Sequence, residues 1–424
     1  MRILVESDYT YYNLGEIAML QVTVSRLHEI WPGASIHVLT EDPAGLARYC
    51  PWTLPVVRRR PPERPVAERS DEPPAQRSGE VGRDGFNLLQ RYGRWPRSIA
   101  SKLLSGTRAA APGLESDPSQ LAEAIRAADL VVVAGMGGIT DWFEGFARDI
   151  LDTMALAIEH GRPTAMLGQG MGPIERHSLS DRASEVLPQV SLIALRERLH
   201  SYPLLLRLGV APERIVITGD DALELPYRAR VERLGDGLGL NVRTGWYSGV
   251  DDSVIGRLRP VLHEMARLRG APLVPIPISL TPGEHDALTA SQLTAGYPTV
   301  TDPPAHARTP LEIIRHIQHC RVVVAGSYHA AVFALGQGVP TVALVGSSYY
   351  AVKLEGIADM FGTGCEVVAV DDGLPSTLPA AVTRLWDTAE RVRPSLLEAS
   401  ARQIEAGEHA YRRLAELVAG TPAQ

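Results

Sequence analysis

A recurring unit constrains this chain more than any other feature. A short, unbroken apolar run is followed by a Gly-rich or polar turn, and then by apolar residues at helical spacing. Residues 3–5 (ILV) open the series, Ile17, Leu20, Val24, Leu27 and Ile30 recur at helical intervals behind them, and WPG at 31–33 stops the helix. SIHVL at 35–39 follows, then DLVVVAG at 129–135 before a helix over 142–160, PTAML at 163–167, SLIAL at 191–195 before RERLHSYPLLLRLG, and RIVIT at 214–218. Strands that are apolar without alternation are buried on both faces, which predicts a parallel sheet covered by helices on each side.

A second series begins after LPYRARVERLGDG at 225–237. It runs through LGLNV at 238–242, a helix over 251–269, PLVPI at 272–276, a helix near Glu284, a helix over 310–319, RVVVAG at 321–326, a helix over 330–335, PTVALV at 340–345, a helix over 350–360 and a last strand near EVVAV at 366–370. A chain of 424 residues is too long for one ordinary core. The expected organisation is an α/β domain over 1–230, a second over 231–393, and an amphipathic helix over 394–424 packing back across the hinge. Each domain is Rossmann-like, and the two face a cleft. Residues 58–113 break the pattern: they are rich in Pro, Arg and acidic residues, so we expect a mobile insertion there.

Several classes are excluded at this level. A net charge of −7 with local Arg clusters lacks the footprint of a nucleic-acid binder. Cys50, Cys320 and Cys365 are odd in number and far apart, which suits neither a disulfide framework nor a zinc site and predicts a cytoplasmic protein. The chain enters a strand at once without a secretory leader pattern, and its longest apolar region, 330–345, is broken by Gly336, Gly338 and Pro340, so no transmembrane segment is expected. Any membrane contact would be peripheral. The high Ala, Arg, Gly and Pro content suggests a bacterium of high GC, with secondary metabolism as open as cell-wall glycan synthesis.

In open α/β sheets, ligands bind beyond the C-terminal ends of the strands. The polar and Gly-rich turns fall there: NLGEIA at 13–18, GMGGITD at 135–141, GQGMGP at 168–173, GDD at 219–221, NVR at 241–243 and GSYH at 326–329. Read alone, His329 is either an imidazole presented to a cleft or a packed core histidine. Asn13 and Glu16 suit either a helix cap or a ligand site, and Asp141 suits a cap of the helix at Trp142. Asp220 and Asp221 read as one ligand-binding and one solvated carboxylate, with no required metal. Aromatic residues in YTYY at 9–12 and GWYSG at 245–249 flank these turns and would suit a sugar-linked acceptor.

The ordered set resembles the polysaccharide pyruvyl transferase family. It comprises Asn13-x-Gly15-Glu16-x-Ala18, the Gly-rich loop ending in Asp141, GQGMGP, Arg196-Glu197 with Ser201 and Leu208-Gly209 behind it, TGDDA, LNVR, and GSYHAAVFALGQGVP followed by Tyr350 and Lys353. The likeness spans nearly the whole chain outside 58–113. It implies a glycosyltransferase-B-like architecture and transfer of a pyruvyl group from phosphoenolpyruvate to two hydroxyls of a sugar or glycoside, forming a ketal, with no further cofactor. On that likeness His329 and Glu16 are the catalytic groups. Arg243, Gly326, Ser327, Tyr328, Tyr350 and Lys353 hold the donor, and Asn13, Gly15, Gly137, Gly138, Asp141, Gln169 and Asp220 hold the acceptor. Two positions depart: the family usually has Asp where Glu16 stands, and where relatives often carry an arginine two residues before the histidine, this chain has Ser327, a neutral hydroxyl in place of a bidentate guanidinium. A nucleotide-sugar or other activated donor is therefore the first alternative, and a non-catalytic binding protein of the same fold the second.

Overall fold

The structure, a computed structural model, describes residues 1–8, 10–58, 118–281, 286–303 and 308–420. Apart from Arg58, the insertion expected over 58–113 lies outside the described residues, as do Tyr9 and Glu284.

The first sheet is built from β1 (Arg2–Glu6), β2 (Ser35–Thr40), β3 (Leu54–Val57), β4 (Leu130–Val133), β5 (Met136–Ile139), β6 (Thr164–Met171), β7 (Leu192–Leu195) and β8 (Ile215–Ile217). The strands run in the order β3-β2-β1-β4-β6-β7-β8, with β5 pairing on β6. Every pairing is parallel, as in Val5 opposite Val38 and Val132, so a helix or long loop must return the chain each time. Those returns include α1 (Leu14–Ile30), α2 (Pro43–Tyr49), α3 (Pro118–Arg126), α4 (Glu144–Glu159), α5 (His177–Val186), α6 (Ser201–Arg207) and α7 (Glu224–Ala229). β4 and β7 are buried along their whole length, as strands covered on both faces must be.

The second sheet holds β9 (Gly237–Asn241), β10 (Leu273–Pro275), β11 (Cys320–Ala325), β12 (Thr341–Val345) and β13 (Cys365–Ala369), in the parallel order β10-β9-β11-β12-β13. Its helices are α8 (Asp252–Arg269), α9 (Asp286–Thr294), α10 (Pro310–Ile317), α11 (Tyr328–Gly336) and α12 (Ser348–Phe361). α11 is buried at all nine positions, which matches its sequence, apolar all round. Gly336 lets it approach α7, because a Cβ there would fall 2.6 Å from Pro226 Cγ. One apolar cluster runs from Leu14, Ile17 and Leu20 through Ile276 and Phe333 to Leu396, so the two sheets share a core.

Three details differ from the sequence reading. GGI in the first Gly-rich turn belongs to β5, and β6 continues through GQGM, so both stretches are strand where loops were expected. Their glycines masked the signal, since glycine is depleted from strands in general and is used where another group must approach closely. The last helix, α13, runs from Leu374 to Ala419, well before the expected start at 394, and passes through Pro379 and Pro394. A proline inside a helix costs about 3 kcal/mol, and here packing offsets it. Leu374, Leu378 and Leu385 bury against the second sheet, and Leu396, Tyr411 and Leu414 enter the shared core.

Candidate active site

The turn after β11 is shaped by Gly326, whose N–H donates to Asn241 O (2.6 Å) and where a Cβ would fall 3.1 Å from Val242 Cα. Ser327 then caps α11 in an extended conformation, yet its side chain makes no capping bond, and its buried Oγ has no hydrogen-bond partner. His329 lies in the first turn, where backbone N–H groups have no intrahelical acceptor and the dipole favours an anion.

His329 faces the first half of the chain. A Cβ added at Gly15 would fall 1.8 Å from His329 Cγ, so the glycine of the Asn13 loop makes room for the imidazole. Nε2 has no hydrogen-bond partner and lies 3.9 Å from Asp220 Oδ2, beyond β8. The ring stands between the two sheets as the cleft reading requires, but it is 6% exposed, so the space around it is closed rather than water-filled. Burial first, then the positive charges of Arg196, Lys353 and Arg243, hold His329 well below the ordinary imidazole range, which makes it a neutral base near pH 7.

Asn13 caps α1 by accepting from the Gly15 N–H (3.0 Å). The same loop is tied to the second half of the chain through Leu14 N–H to Ile278 O (3.0 Å) and Leu280 N–H to Tyr12 O (2.7 Å). Glu16, in the first turn, hydrogen-bonds Asp8; burial and then the Asp8 carboxylate push it up to about 8, against the opposing pull of Lys353 and Arg196. A carboxyl so placed holds its proton at neutral pH.

Arg196, which the sequence reading left without a role, is a further candidate site residue. It follows β7 directly and is 2% exposed. Its guanidinium carbon lies 4.0 Å from the Tyr328 ring centroid, and Nη1 lies 3.4 Å from Asp220 Oδ2. Lys353, from α12, donates to the Tyr349 hydroxyl and sits 3.7 Å from that ring's centroid. The two cations converge above Gly137 in β5: a Cβ there would fall 2.5 Å from Arg196 Nη2 and 2.7 Å from Lys353 Nζ. Burial, and then Arg196, push Lys353 well below the ordinary ammonium range. Burial also raises Asp220 to about 6, against the pull of Arg196. A signal for Lys353 was present in the sequence, because Lys102 and Lys353 are the only lysines in a chain that otherwise uses arginine.

Other singled-out residues have structural partners. Arg243, expected as an anion clamp, has its fork occupied by Asp286, with Nε–Oδ1 at 2.5 Å and Nη2–Oδ2 at 3.0 Å. Tyr328 packs beneath Arg196 with its hydroxyl on Asp220. Tyr350 stacks on Tyr247 at 6.2 Å and 25°. Gln169 donates to Ala134 O (2.7 Å) and Leu167 O (2.8 Å), leaving Oε1 buried without a partner. A Cβ at Gly138 would fall 2.2 Å from the Phe146 ring. Asp141 is not the cap before Trp142, since Thr140 takes that place; Asp141 Oδ2 accepts instead from the backbone N–H of Glu175 (2.5 Å) and Arg176 (3.1 Å).

Asp221, read as solvated, is buried; it pairs with Arg26 at 2.9 Å and accepts from the Tyr411 hydroxyl at 2.9 Å. Among the described residues, no group of three His, Cys, Asp or Glu side chains could hold a metal ion.

By fold, the chain is similar to several solved structures. One is MnaA of S. aureus solved with UDP, at 10% identity, TM-score 0.59, covering all of this chain and 99% of that one. Another is a glycosyltransferase of Rickettsia africae, at 9% identity, TM-score 0.56, with 100% and 99% covered. A third is the glycotransferase of kitacinnamycin, at 13% identity, TM-score 0.54, with 99% and 98% covered. These likenesses give the fold, which is glycosyltransferase-B-like. Compared with curated proteins by sequence, the chain has no match. The family model for polysaccharide pyruvyl transferase matches residues 13–348, a stretch that includes Asn13, Arg196, Asp220 and His329. The chain is a transferase and belongs to the polysaccharide pyruvyl transferase family.

Proposed function

We propose that the protein transfers the pyruvyl group of phosphoenolpyruvate to two hydroxyls of a sugar or glycoside, forming a ketal and releasing inorganic phosphate. The observation that carries this reading is the convergence of Arg196 and Lys353 on Gly137, together with two buried polar atoms without partners at the start of α11, Ser327 Oγ and His329 Nε2. A buried guanidinium with one carboxylate, beside a lysine whose charged form burial and that guanidinium disfavour, calls for an anion, which would also favour the ammonium form of the lysine. Phosphoenolpyruvate brings two, a carboxylate and a phosphate, and the first-turn amides of α11 add donors to the same seat. The guanidinium missing at 327 is supplied from the other half of the chain by Arg196, so the donor seat takes one cation from each half.

The chemistry divides between the neutral imidazole and the protonated carboxyl. Glu16 delivers a proton to the methylene carbon of the enol phosphate, and the neighbouring carbon takes the oxygen of one hydroxyl, whose proton passes to His329. The second hydroxyl then attacks that carbon, the C–O bond to phosphate breaks, and phosphate leaves with the second hydroxyl's proton. The methyl group gains one hydrogen and phosphate the other, and the proton taken by His329 returns to Glu16 before the next turnover, so the atoms balance and both groups are restored. Burial of the site keeps water from competing with the hydroxyls. The three cysteines are free, two of them buried, which fits work in a reducing cytoplasm.

The test is to incubate the purified chain with phosphoenolpyruvate and a panel of glycosides, measuring phosphate release and the mass of the acceptor. Acceptors heavier by one ketal, with matching phosphate, support the reading, and His329→Ala lowers that rate by about 10²–10⁴-fold. Phosphate release from no acceptor, with turnover of a nucleotide sugar instead, would favour the second reading, which Ser327 in place of the family's arginine keeps open.

A further inference from the structure

Six aromatic rings meet at the rim of this site, drawn from three places in the sequence. Trp142 and Phe143 come from the turn after β5, Trp246 and Tyr247 from the loop after β9, and Tyr349 and Tyr350 from the start of α12. Their centroids form a continuous row: Trp142–Trp246 at 5.6 Å, Phe143–Trp246 at 5.8 Å, Phe143–Tyr247 and Phe143–Tyr349 at 5.4 Å, Tyr349–Tyr350 at 5.4 Å. Aromatic residues are only 6% of the chain, so this is a concentration of them.

The row has an inner and an outer end. At the inner end, the Tyr349 hydroxyl takes the Lys353 ammonium, so its polar tip points to the donor seat, while the Tyr247 hydroxyl faces Arg243 Nη1 at 3.4 Å. At the outer end, Trp246 is 51% exposed, although its loop is firmly built. Ser248 Oγ accepts from Gly245 N–H and Val250 N–H, both at 3.1 Å, Ser347 Oγ donates to Tyr247 O at 2.7 Å, and Gly249, at φ 69°, lies where a Cβ would fall 1.9 Å from Gly346 O. A fixed loop that holds an indole half in water presents that face to something.

We infer that this row is the outer acceptor subsite and takes an apolar body, aromatic or hydrocarbon, attached to the sugar whose hydroxyls react. The inference rests on the pyruvyl transfer reading for the position of those hydroxyls. Whatever the acceptor carries beyond them extends outward along the rings. Among the described residues, the six side chains of the row offer ring carbon outward and none is a carboxylate or amide, the groups that would hold the hydroxyls of a second sugar. The occupant is therefore a glycoside with an apolar aglycone rather than the next unit of a glycan.

Calorimetric titration of the full chain with pairs of glycosides tests this, each pair sharing one sugar and differing as methyl or naphthyl glycoside. The naphthyl member is expected to bind about tenfold more tightly or better. Trp246→Ala removes that preference and Trp246→Phe restores most of it. Equal binding of both members, or a preference untouched in Trp246→Ala, overturns the inference. Because binding is read directly, a preserved naphthyl preference with no phosphate release from any acceptor supports this subsite while counting against phosphoenolpyruvate as donor.

Discussion

Arg196 and Arg243 occupy comparable places in the two sheets, each just past the C-terminal end of a strand and each buried, at 2% and 5% exposure. Their surroundings separate them. Arg243 meets Asp286 through both arms of its fork, and that carboxylate is further fixed by Asn241 Nδ2 and by the backbone N–H groups of Ile278 and Ser279, all at 2.9 Å. Arg196 has a single carboxylate, Asp220, at 3.4 Å, and otherwise lies against the Tyr328 ring and the glycine backbone of β5 and β6. A buried guanidinium with both arms met by a carboxylate has little left for a ligand, whereas one with an incomplete partner has donors to offer. The sequence pattern after the strand is alike in the two regions, and the difference comes from the residues that fold brings opposite.

The sharpest way to break this comparison is to remove each cation in turn. Arg196→Gln is expected to lower kcat/KM for phosphoenolpyruvate on the order of 10³-fold, with a smaller loss of stability than Arg243→Gln, because Asp220, already raised to about 6, takes up a proton when its partner goes. Arg243→Gln leaves Asp286 buried without its partner and is expected to cost about 3–5 kcal/mol, read from urea denaturation. Should both variants lose stability equally, or both fold and lose donor turnover equally, the distinction fails.

A second test concerns the pH dependence of the Arg196 side of the site. If Glu16 donates the proton, kcat/KM falls above about pH 8, where its carboxyl ionises. Glu16→Gln removes that descending limb and lowers kcat about 10²-fold. Stability carries the same signature. Between the unfolded value of 4.5 and about 8, the folded carboxyl keeps a proton that the unfolded chain has lost, so stability falls as pH rises through that window and levels off above it. Glu16→Gln flattens this slope, and a slope that survives the substitution belongs to another group.

The smallest effect is expected at the far edge of the same region. Tyr411 in α13 donates to Asp221 at 2.9 Å, and Asp221 neighbours Asp220, which faces His329. Tyr411→Phe is expected to cost about 1 kcal/mol in urea denaturation. It should change kcat by only a few-fold. A loss of activity comparable to that of Arg196→Gln would move α13 from support into the reacting centre.

Much of this was legible in the chain. The apolar runs announced both sheets, since a strand covered on both faces has no reason to alternate, and GSYH after one of them marked His329 at a helix entrance. Asn13 was readable as a cap from its place before an apolar-periodic stretch. The strands at GGI and GQGM were not readable, because Gly137 and Gly170 make room for Arg196, Gly137 for Lys353 as well and Gly138 for Phe146, demands that only the folded chain creates. Arg196 stood in plain sight beside Glu197, yet nothing local distinguished it; Glu197 proves to cap α6 through the N–H groups of His200 and Ser201. The aromatic row was legible only in part: GWYSG marked Trp246 and Tyr247, but Trp142, Phe143, Tyr349 and Tyr350 lie in separate segments that nothing local joins to it.

The sequence by itself determined the layered parallel architecture and the strand-end positions at which chemistry can occur, because hydrophobic periodicity and turn composition are local properties. Only the tertiary structure decided which of those positions share a site, and which charges are already satisfied. Pairing, burial and pKa depend on groups far apart along the chain, and they take their values only when folding sets Gly15 against His329 and leaves Arg196 and Lys353 above the same glycine.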